Sequence, residues 1–241
     1  MIALLNRLYR NLFCRGGYGV HSPFVFDLLT TVIEERKYYY CYDRIHPVRL
    51  QVMQRREEVM YGNLTIPIKK ALEKYGFTEL EHRLLFRLAN RFQPKTILSI
   101  GSDFGITPLY LTAYAADCAC IVIESDASVA SVAREYIEKY ATATVELRQE
   151  IGETTDNLDF VVFSACPFND ILTLQLFERL LPHIHDESIM VISGINASLK
   201  NRKTWQAICA HPKVTVTINL YRIGIVFFNP KLNRQTYKSC I

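Results

Sequence analysis

The chain holds seven cysteines (Cys14, Cys41, Cys118, Cys120, Cys166, Cys209 and Cys240) but no CxxC pair. An odd number of scattered thiols without paired spacing excludes the common zinc and dithiol redox motifs. Free thiols in a reducing cytosol are the simplest reading, so a cytoplasmic location is the expectation. No apolar run is long enough to cross a bilayer. The opening MIALLNRLYRNLF also lacks the uninterrupted apolar core of a secretion signal, and no membrane partner is expected. No basic run, RNA-binding signature or zinc-finger spacing is present, so nucleic acid is not an expected partner either. A formal net charge of +4 permits an anionic partner without arguing for one. No internal repeat or low-complexity segment interrupts the chain.

The 241 residues suffice for one large α/β domain or for a domain with an arm, and 49% hydrophobic residues allow a sizeable core. In the first segment Ile2, Leu5, Leu8, Leu12 and Phe13 share one helical face, with Asn6, Arg7, Arg10 and Asn11 opposite. Such a helix packs on its own domain or on a partner chain, which could be a second copy in a homodimer, with binding at a membrane surface as the alternative. Residues 1–75 read as an irregular, mostly helical arm, broken by RGGYGVHSPF and resumed in FVFDLLTTVIEE. KYYYCYDRI places Tyr38, Tyr39, Tyr40 and Tyr42 together, which reads as packing between arm and domain, with a pocket lining as the alternative.

Regular structure begins at Thr78. Thr78 with Glu81 three residues on forms a capping box ahead of the apolar stripe Leu80, Leu84, Leu85 and Leu88. After Gln93-Pro94 strands alternate with helices. TILSI (96–100) is a strand, and PLYLTAYAAD (108–117) a helix with Thr107 as cap. ACIVIE (119–124) is a strand, DASVASVAREYIEKYA (126–141) a helix, and TVELRQ (144–149) and LDFVVFS (158–164) are strands. ILTLQLFERLLPHI (171–184) is a helix, SIMVISG (188–194) a strand and SLKNRKTWQAICAH (198–211) a helix. KVTVTINLY (213–221) and IGIVFFN (223–229) close the series as strands. Continuous apolar strands such as DFVVF fit a parallel sheet covered on both faces. The pattern predicts a doubly wound α/β fold with right-handed crossovers. The last two strands are too close in sequence for a parallel crossover and must pair antiparallel. The expected fold is therefore α/β: a mostly parallel, seven-stranded, Rossmann-like sheet that ends in an antiparallel hairpin and carries an N-terminal helical arm. Its expected divisions are 1–75, 76–230 and a tail at 231–241.

In an open parallel sheet, ligands bind beyond the carboxyl ends of the strands. That places GSDFG in the first crevice, where Gly101 and Gly105 permit a tight turn and close backbone approach. The following helix turns unpaired N–H groups towards the same place. Glu124 ends the next strand, at a spacing from which a carboxylate accepts hydrogen bonds from both ribose hydroxyls of an adenosine. Its alternative is an acid near the start of the helix at Ser125-Asp126. His21, His183 and His185 are the histidines to weigh as bases, with the latter two at the wrong end of the sheet. Cys166 follows strand four at the correct end, where an inert buried thiol is the plainer reading.

Four segments (GYGVHSPFVFDLL, PKTILSIGSDFGITPLYL, DFVVF with FERLLPHIHDES, and HPKVTVTINLYRIGIVFF) span most of the chain. Together they resemble the small bacterial S-adenosylmethionine-dependent O-methyltransferases of the catechol type, within the class I superfamily, whose sheets end in such a hairpin. The resemblance implies S-adenosylmethionine as cofactor and a small-molecule substrate. It would set Gly101, Ser102, Asp103 and Gly105 around the methionine part, and Glu124 with Ser125 at the ribose. Ile151, beside Glu150, would lie against the adenine, and Ser164 at the end of strand four. The sequence departs from the family where charge matters. Ser99 stands where relatives carry a strand-end acid, Ser164 where they carry another, and Ser193-Gly194 where FDDI is frequent. Mg²⁺ needs hard anionic oxygens, and serine and glycine supply none, so no metal is expected here. Asp103 could compensate in part for Ser99, although an Asp in mid-loop more often caps a turn. Two readings stay open: a metal-independent methyltransferase with residues 1–75 as substrate lid, or a binding or scaffold module that has lost catalysis. A nicotinamide-dependent oxidoreductase is disfavoured by the terminal hairpin and by the absence of GxGxxG.

Overall fold

The computed structural model describes residues 16–17, 19–61, 64–152, 157–164 and 172–241. The amphipathic segment 2–13 and Cys166 lie outside them. In the arm, Ser22 caps α1 (Pro23–Leu28) by accepting from the Val25 N–H, with Pro23 in the first turn, where no N–H is needed. The chain continues as a π-helical turn over Leu29–Ile33, closed by the Glu34 N–H donating to the Leu29 carbonyl. Then follow α2 (Tyr40–Gln54), the strands β1 (Glu58–Tyr61) and β2 (Leu64–Pro67), and α3 (Ile68–Tyr75). The antiparallel pairing of β1 with β2 departs from the helical expectation. Val59, Thr65 and Ile66 favour extended backbone, and the intervening Gly62-Asn63 is a hairpin dipeptide in the sequence.

The arm packs through its aromatics. The Tyr42 ring is buried and meets Phe86 at 5.5 Å and Tyr110 at 6.2 Å between centroids. Tyr39 meets Phe86 at 4.9 Å. Tyr40, at 87% exposure, takes no part in this packing. The packing reading thus fits Tyr39 and Tyr42 but not the whole cluster.

The domain opens with α4 (Glu79–Phe92) at the anticipated capping box: the Glu81 N–H donates to Thr78 Oγ1 at 3.3 Å, and the Thr78 N–H to Glu81 Oε2 at 2.7 Å. Alternation follows as β3 (Thr96–Ile100), α5 (Ile106–Leu111), β4 (Ala119–Ile123), α6 (Ala127–Tyr140), β5 (Thr144–Arg148) and β6 (Leu158–Phe163). It continues with α7 (Leu172–Leu180), β7 (Ile184–Ser193), α8 (Leu199–Ala210), β8 (Val216–Asn219), β9 (Ile223–Phe227) and β10 (Gln235–Lys238). The sheet order is β5-β4-β3-β6-β7-β9-β8-β10. β5, β4, β3, β6 and β7 run parallel, while β9 is antiparallel to both β7 and β8. The doubly wound sheet and its terminal hairpin are as the sequence predicts. Beyond the seven expected strands the sheet carries an eighth, β10, parallel to β8 at the rim. QTYK is too short and too polar to announce itself as a strand.

Two boundaries move for local reasons. β7 begins at Ile184 because a register shift against β6 lets the polar HDES stretch join the ladder. α5 ends at Leu111, where Thr112 Oγ1 donates back to the Pro108 carbonyl.

Alternating residues of the central strands face two cores. Ile97, Phe160, Val162 and Val191 pack with α1 and α4, whereas Leu98, Val161, Met190 and Ile192 pack with α7 and α8. A third cluster joins α2 and α3 of the arm to α5 and α6. The arm therefore seats on the helices that flank the loop after β3.

Candidate functional site

The loop after β3 is built by short-range constraints. The Gly101 N–H donates to the Ile123 carbonyl at 2.8 Å and the Ser164 N–H to the Ile100 carbonyl at 2.8 Å, so β4, β3 and β6 end in step. Gly101 has φ +90, and a Cβ there would lie 2.7 Å from Ser164 Cβ. Gly105 has φ +90 and would meet the Ala133 carbonyl of α6 at 2.9 Å. Between them Asp103 (φ +46) and Phe104 (φ +59) are both left-handed, a conformation costing non-glycine residues about 1–3 kcal/mol each. Burial of the Phe104 ring and the contacts of Asp103 offset that strain. Gly105, not Thr107, is the residue that caps α5. Thr107 sits inside the first turn, where its hydroxyl donates to Asp103 Oδ2 at 3.1 Å.

Two carboxylates flank this loop in contrasting states. Asp103 is 6% exposed. It accepts from the Phe77 N–H at 2.8 Å, from Thr107 Oγ1, and from Ser164 Oγ at 2.7 Å, with His82 Nε2 3.4 Å away. Burial alone would raise its carboxyl. The interaction with His82, by hydrogen bond and by charge, and the hydrogen bonds from Phe77 and Ser164 outweigh burial and hold it below the usual carboxylate range. Glu124, 8% exposed, accepts at Oε2 from the Ser102 N–H at 3.1 Å and from the Ser102 hydroxyl at 2.7 Å. Among the described residues its Oε1 has only the Asp126 N–H, at 3.5 Å. Here burial prevails and pushes the carboxyl up.

Of the residues singled out by sequence, Gly101, Ser102, Asp103, Gly105, Glu124 and Ser164 come together at the carboxyl ends of β3, β4 and β6, joined by the bonds just given. Ser125 follows Glu124 and is exposed. Ile151 packs against the core beneath β3 and β4, and its carbonyl accepts from Arg179. Ser99 is fully buried and its hydroxyl donates to the Gly101 carbonyl at 2.8 Å. Ser193 ends β7 and is buried, and the Gly194 carbonyl accepts from Asn201. His185 lies at the opposite end of the sheet, bonded through Nε2 to Asp159 Oδ1 at 2.9 Å, and Asp159 also holds the N–H groups that open β3. His21 is exposed on the arm. Among the described residues no three His, Cys, Asp or Glu side chains converge as a metal site.

Sequence reasoning missed His82, Arg49 and the linking role of Thr107. His82 is fully buried in α4, stacked on Tyr110 at 5.2 Å. Its Nε2 stands 3.1 Å from Thr107 Oγ1, and Arg49 Nη1 stands 3.3 Å from its Nδ1. The available signal was a histidine one turn past the capping box, beside the apolar stripe of the helix.

No protein-family model matches the sequence, and no curated protein matches it. Solved structures match in shape. A methyltransferase of Podospora anserina, PaMTH1, bound to S-adenosylhomocysteine, superposes with a TM-score of 0.57 at 12% identity, over 81% of this chain and 99% of that one. An O-methyltransferase of Bacillus cereus, also in complex with S-adenosylhomocysteine, gives 0.56 at 16% identity over 85% and 95%. TomG of Streptomyces achromogenes, an O-methyltransferase of tomaymycin synthesis in complex with S-adenosylmethionine, gives 0.55 at 16% over 67% and 87%. At such identities the likeness is one of fold. The chain has the class I S-adenosylmethionine-dependent methyltransferase fold, with the strand order and terminal hairpin described above.

Proposed function

We propose that this protein binds S-adenosylmethionine at the carboxyl ends of β3 and β4 and is a metal-independent, methyltransferase-like protein whose substrate, if it turns one over, is a small molecule. The observation that carries the reading is Glu124: a buried carboxylate at the end of β4, one oxygen tied to Ser102 and the other, among the described residues, with only a long contact from the Asp126 N–H. That oxygen fits a ribose hydroxyl. Gly101 and Gly105 keep the turn beside it tight, packed against Ser164 and the Ala133 carbonyl. All three neighbours described above hold S-adenosylmethionine or S-adenosylhomocysteine.

When bound, the cofactor supplies a methyl group already activated by its sulfonium, so positioning carries much of the rate. The chain's part is to hold the nucleoside through Glu124, beside the loop at Gly101, and to keep water out with the arm, residues 1–75, as lid. Independence from metal rests on donor chemistry. Ser99 has given its proton to the Gly101 carbonyl, Ser164 has given its own to Asp103, and Ser193-Gly194 carries no charge. These groups offer a divalent cation no anionic oxygen.

A binding or scaffold role is favoured by a different observation. The histidines nearest in the sheet do not face the crevice: His185 lies at the far end of the sheet and the buried His82 is enclosed behind the loop. Calorimetric titration with S-adenosylmethionine and S-adenosylhomocysteine, with and without Mg²⁺, separates the readings. Sub-millimolar binding indifferent to magnesium is expected. A strong magnesium requirement contradicts the proposal, and no binding of either compound leaves the scaffold role.

A further inference from the structure

Acids and bases are unevenly divided along the chain. Residues 188–241 hold eight lysines and arginines and no aspartate or glutamate, whereas the whole chain has a net charge of only +4. Like charges gathered without acids between them repel one another, a cost that a surface of mixed sign avoids. Three of the eight are engaged within the fold: Arg222 with Glu81, Arg234 with the Cys209 and His211 carbonyls, and Lys213 with the Leu181 carbonyl. Among the described residues the side chains of Lys200, Arg202, Lys203, Lys231 and Lys238 have no hydrogen bond or ion pair. Two of these five, Arg202 of α8 and Lys238 of β10, line one groove of about 590 Å³ between α8 and the rim of the sheet. Its walls include Asn196, Gln206 and Thr236, and no carboxylate side chain. The volume falls within the range of about 300–1,000 Å³ usual for small-ligand sites. β8 stands four places from β3 in the sheet, about 19 Å at the spacing of paired strands, so the groove is separate from the crevice at Glu124.

We propose that this groove is a second ligand site, which takes a phosphate-bearing small molecule between Arg202 and Lys238. A phosphate monoester carries close to two negative charges at neutral pH, spread over three acceptor oxygens, enough to meet both cations at once. The planar fork of Arg202 suits two of those oxygens, and Lys238 adds a compact point charge. A carboxylate, with one charge and two oxygens, would leave one of the cations unmet. The amides and the hydroxyl of the walls suit the polar body of such a ligand. Lys200, Lys203 and Lys231 lie outside the groove and act at longer range, by drawing anions towards it. A nucleic-acid strand is the poorer fit, because it would need phosphate contacts repeated along the surface, and only two uncommitted cations meet in the concavity. The proposal does not depend on the adenosyl-binding reading above.

The test is calorimetric titration of the full chain, at about 0.1 M salt so that diffuse attraction is screened, with glucose 6-phosphate, inorganic pyrophosphate and, as neutral control, glucose. Sub-millimolar binding of the two phosphates and none of glucose is expected. Arg202→Gln and Lys238→Gln should each raise Kd about tenfold, the loss of one charge-assisted hydrogen bond, and Lys231→Gln should stay within about twofold. Arg202 and Lys238 are exposed, so urea denaturation should find both variants as stable as wild type. Titration with S-adenosylhomocysteine should give the same result in wild type and variants, which keeps the fate of this site distinct from that of the crevice. Absence of binding by both phosphates overturns the proposal. So does a loss shared equally by all three variants, which would mean a diffuse field, or no loss in Arg202→Gln and Lys238→Gln. Binding of a single-stranded oligothymidylate but of neither small phosphate overturns it in favour of a nucleic-acid surface.

Discussion

Glu124 and Asp103 are buried beside the same glycine loop, yet their surroundings push them in opposite directions. Asp103 gathers donors from α5, from the end of β6 and from the backbone at Phe77, and is held low. Glu124 draws on Ser102 and one distant N–H, and is pushed up. A carboxylate held at both oxygens by close donors of its own chain fixes a conformation. One left partly unmet carries a cost in the free protein that a ligand can relieve. The contrast gives the loop's shape to the first and leaves the second as the group proposed above to meet a ligand.

The largest effect is expected from breaking the first half of that contrast. Asp103→Ala strips the acceptor from Phe77, Thr107 and Ser164 and relaxes two left-handed residues, so urea denaturation should report a loss of roughly 3–5 kcal/mol. A loss under about 1 kcal/mol would show that the loop is held by something else. Next, Glu124→Gln should weaken S-adenosylhomocysteine by about 1.5–3 kcal/mol in titration while leaving the free protein at least as stable as wild type. An equal fall in stability would place Glu124 with Asp103 as a structural group. Ser102→Ala is smaller. It removes one donor from Glu124, and about 1 kcal/mol of stability should go with it in thermal unfolding.

The smallest effect sharpens the comparison through pH. A carboxyl raised in the folded state contributes stability at low pH, and that contribution is lost as pH rises through its folded value. Glu124→Gln should therefore gain on wild type from pH 4 towards pH 7. A carboxyl held low contributes above its ordinary value of 3.8 and loses that contribution as pH falls through its folded value. The deficit of Asp103→Asn should accordingly be full at pH 7 and shrink below that range. Parallel profiles for the two variants would remove the distinction.

Much of this architecture was legible in the residues. The apolar runs of β6 and β7, the capping box at Thr78 and the short hairpin between β8 and β9 are local signals, and local chemistry produced what they announce. So did the meeting of Gly101, Glu124 and Ser164, because parallel strands with short crossovers must bring their carboxyl ends together. The Arg49–His82–Asp103 chain was not legible. Its members come from α2, α4 and the loop, and a capped Asp in mid-loop reads alike whether its carboxylate faces solvent or a histidine 21 positions upstream. The β1–β2 pair failed for a different reason: four-residue strands at the surface are set by packing against α6, where Ser128 accepts from the Met60 N–H, rather than by periodicity.

The eighth strand bears on how copies of the molecule meet. β8 would otherwise end the sheet with a bare ladder of amides and carbonyls, a template for self-association. Gln235 and Ser239 instead give their N–H groups to Thr215 and Asn219, so that ladder is spent within the chain. β10 turns three of its four residues, all polar, to solvent. The outer ladder that remains belongs to a strand of four residues carrying Lys238, a short and charged margin of the kind that discourages pairing with a second copy.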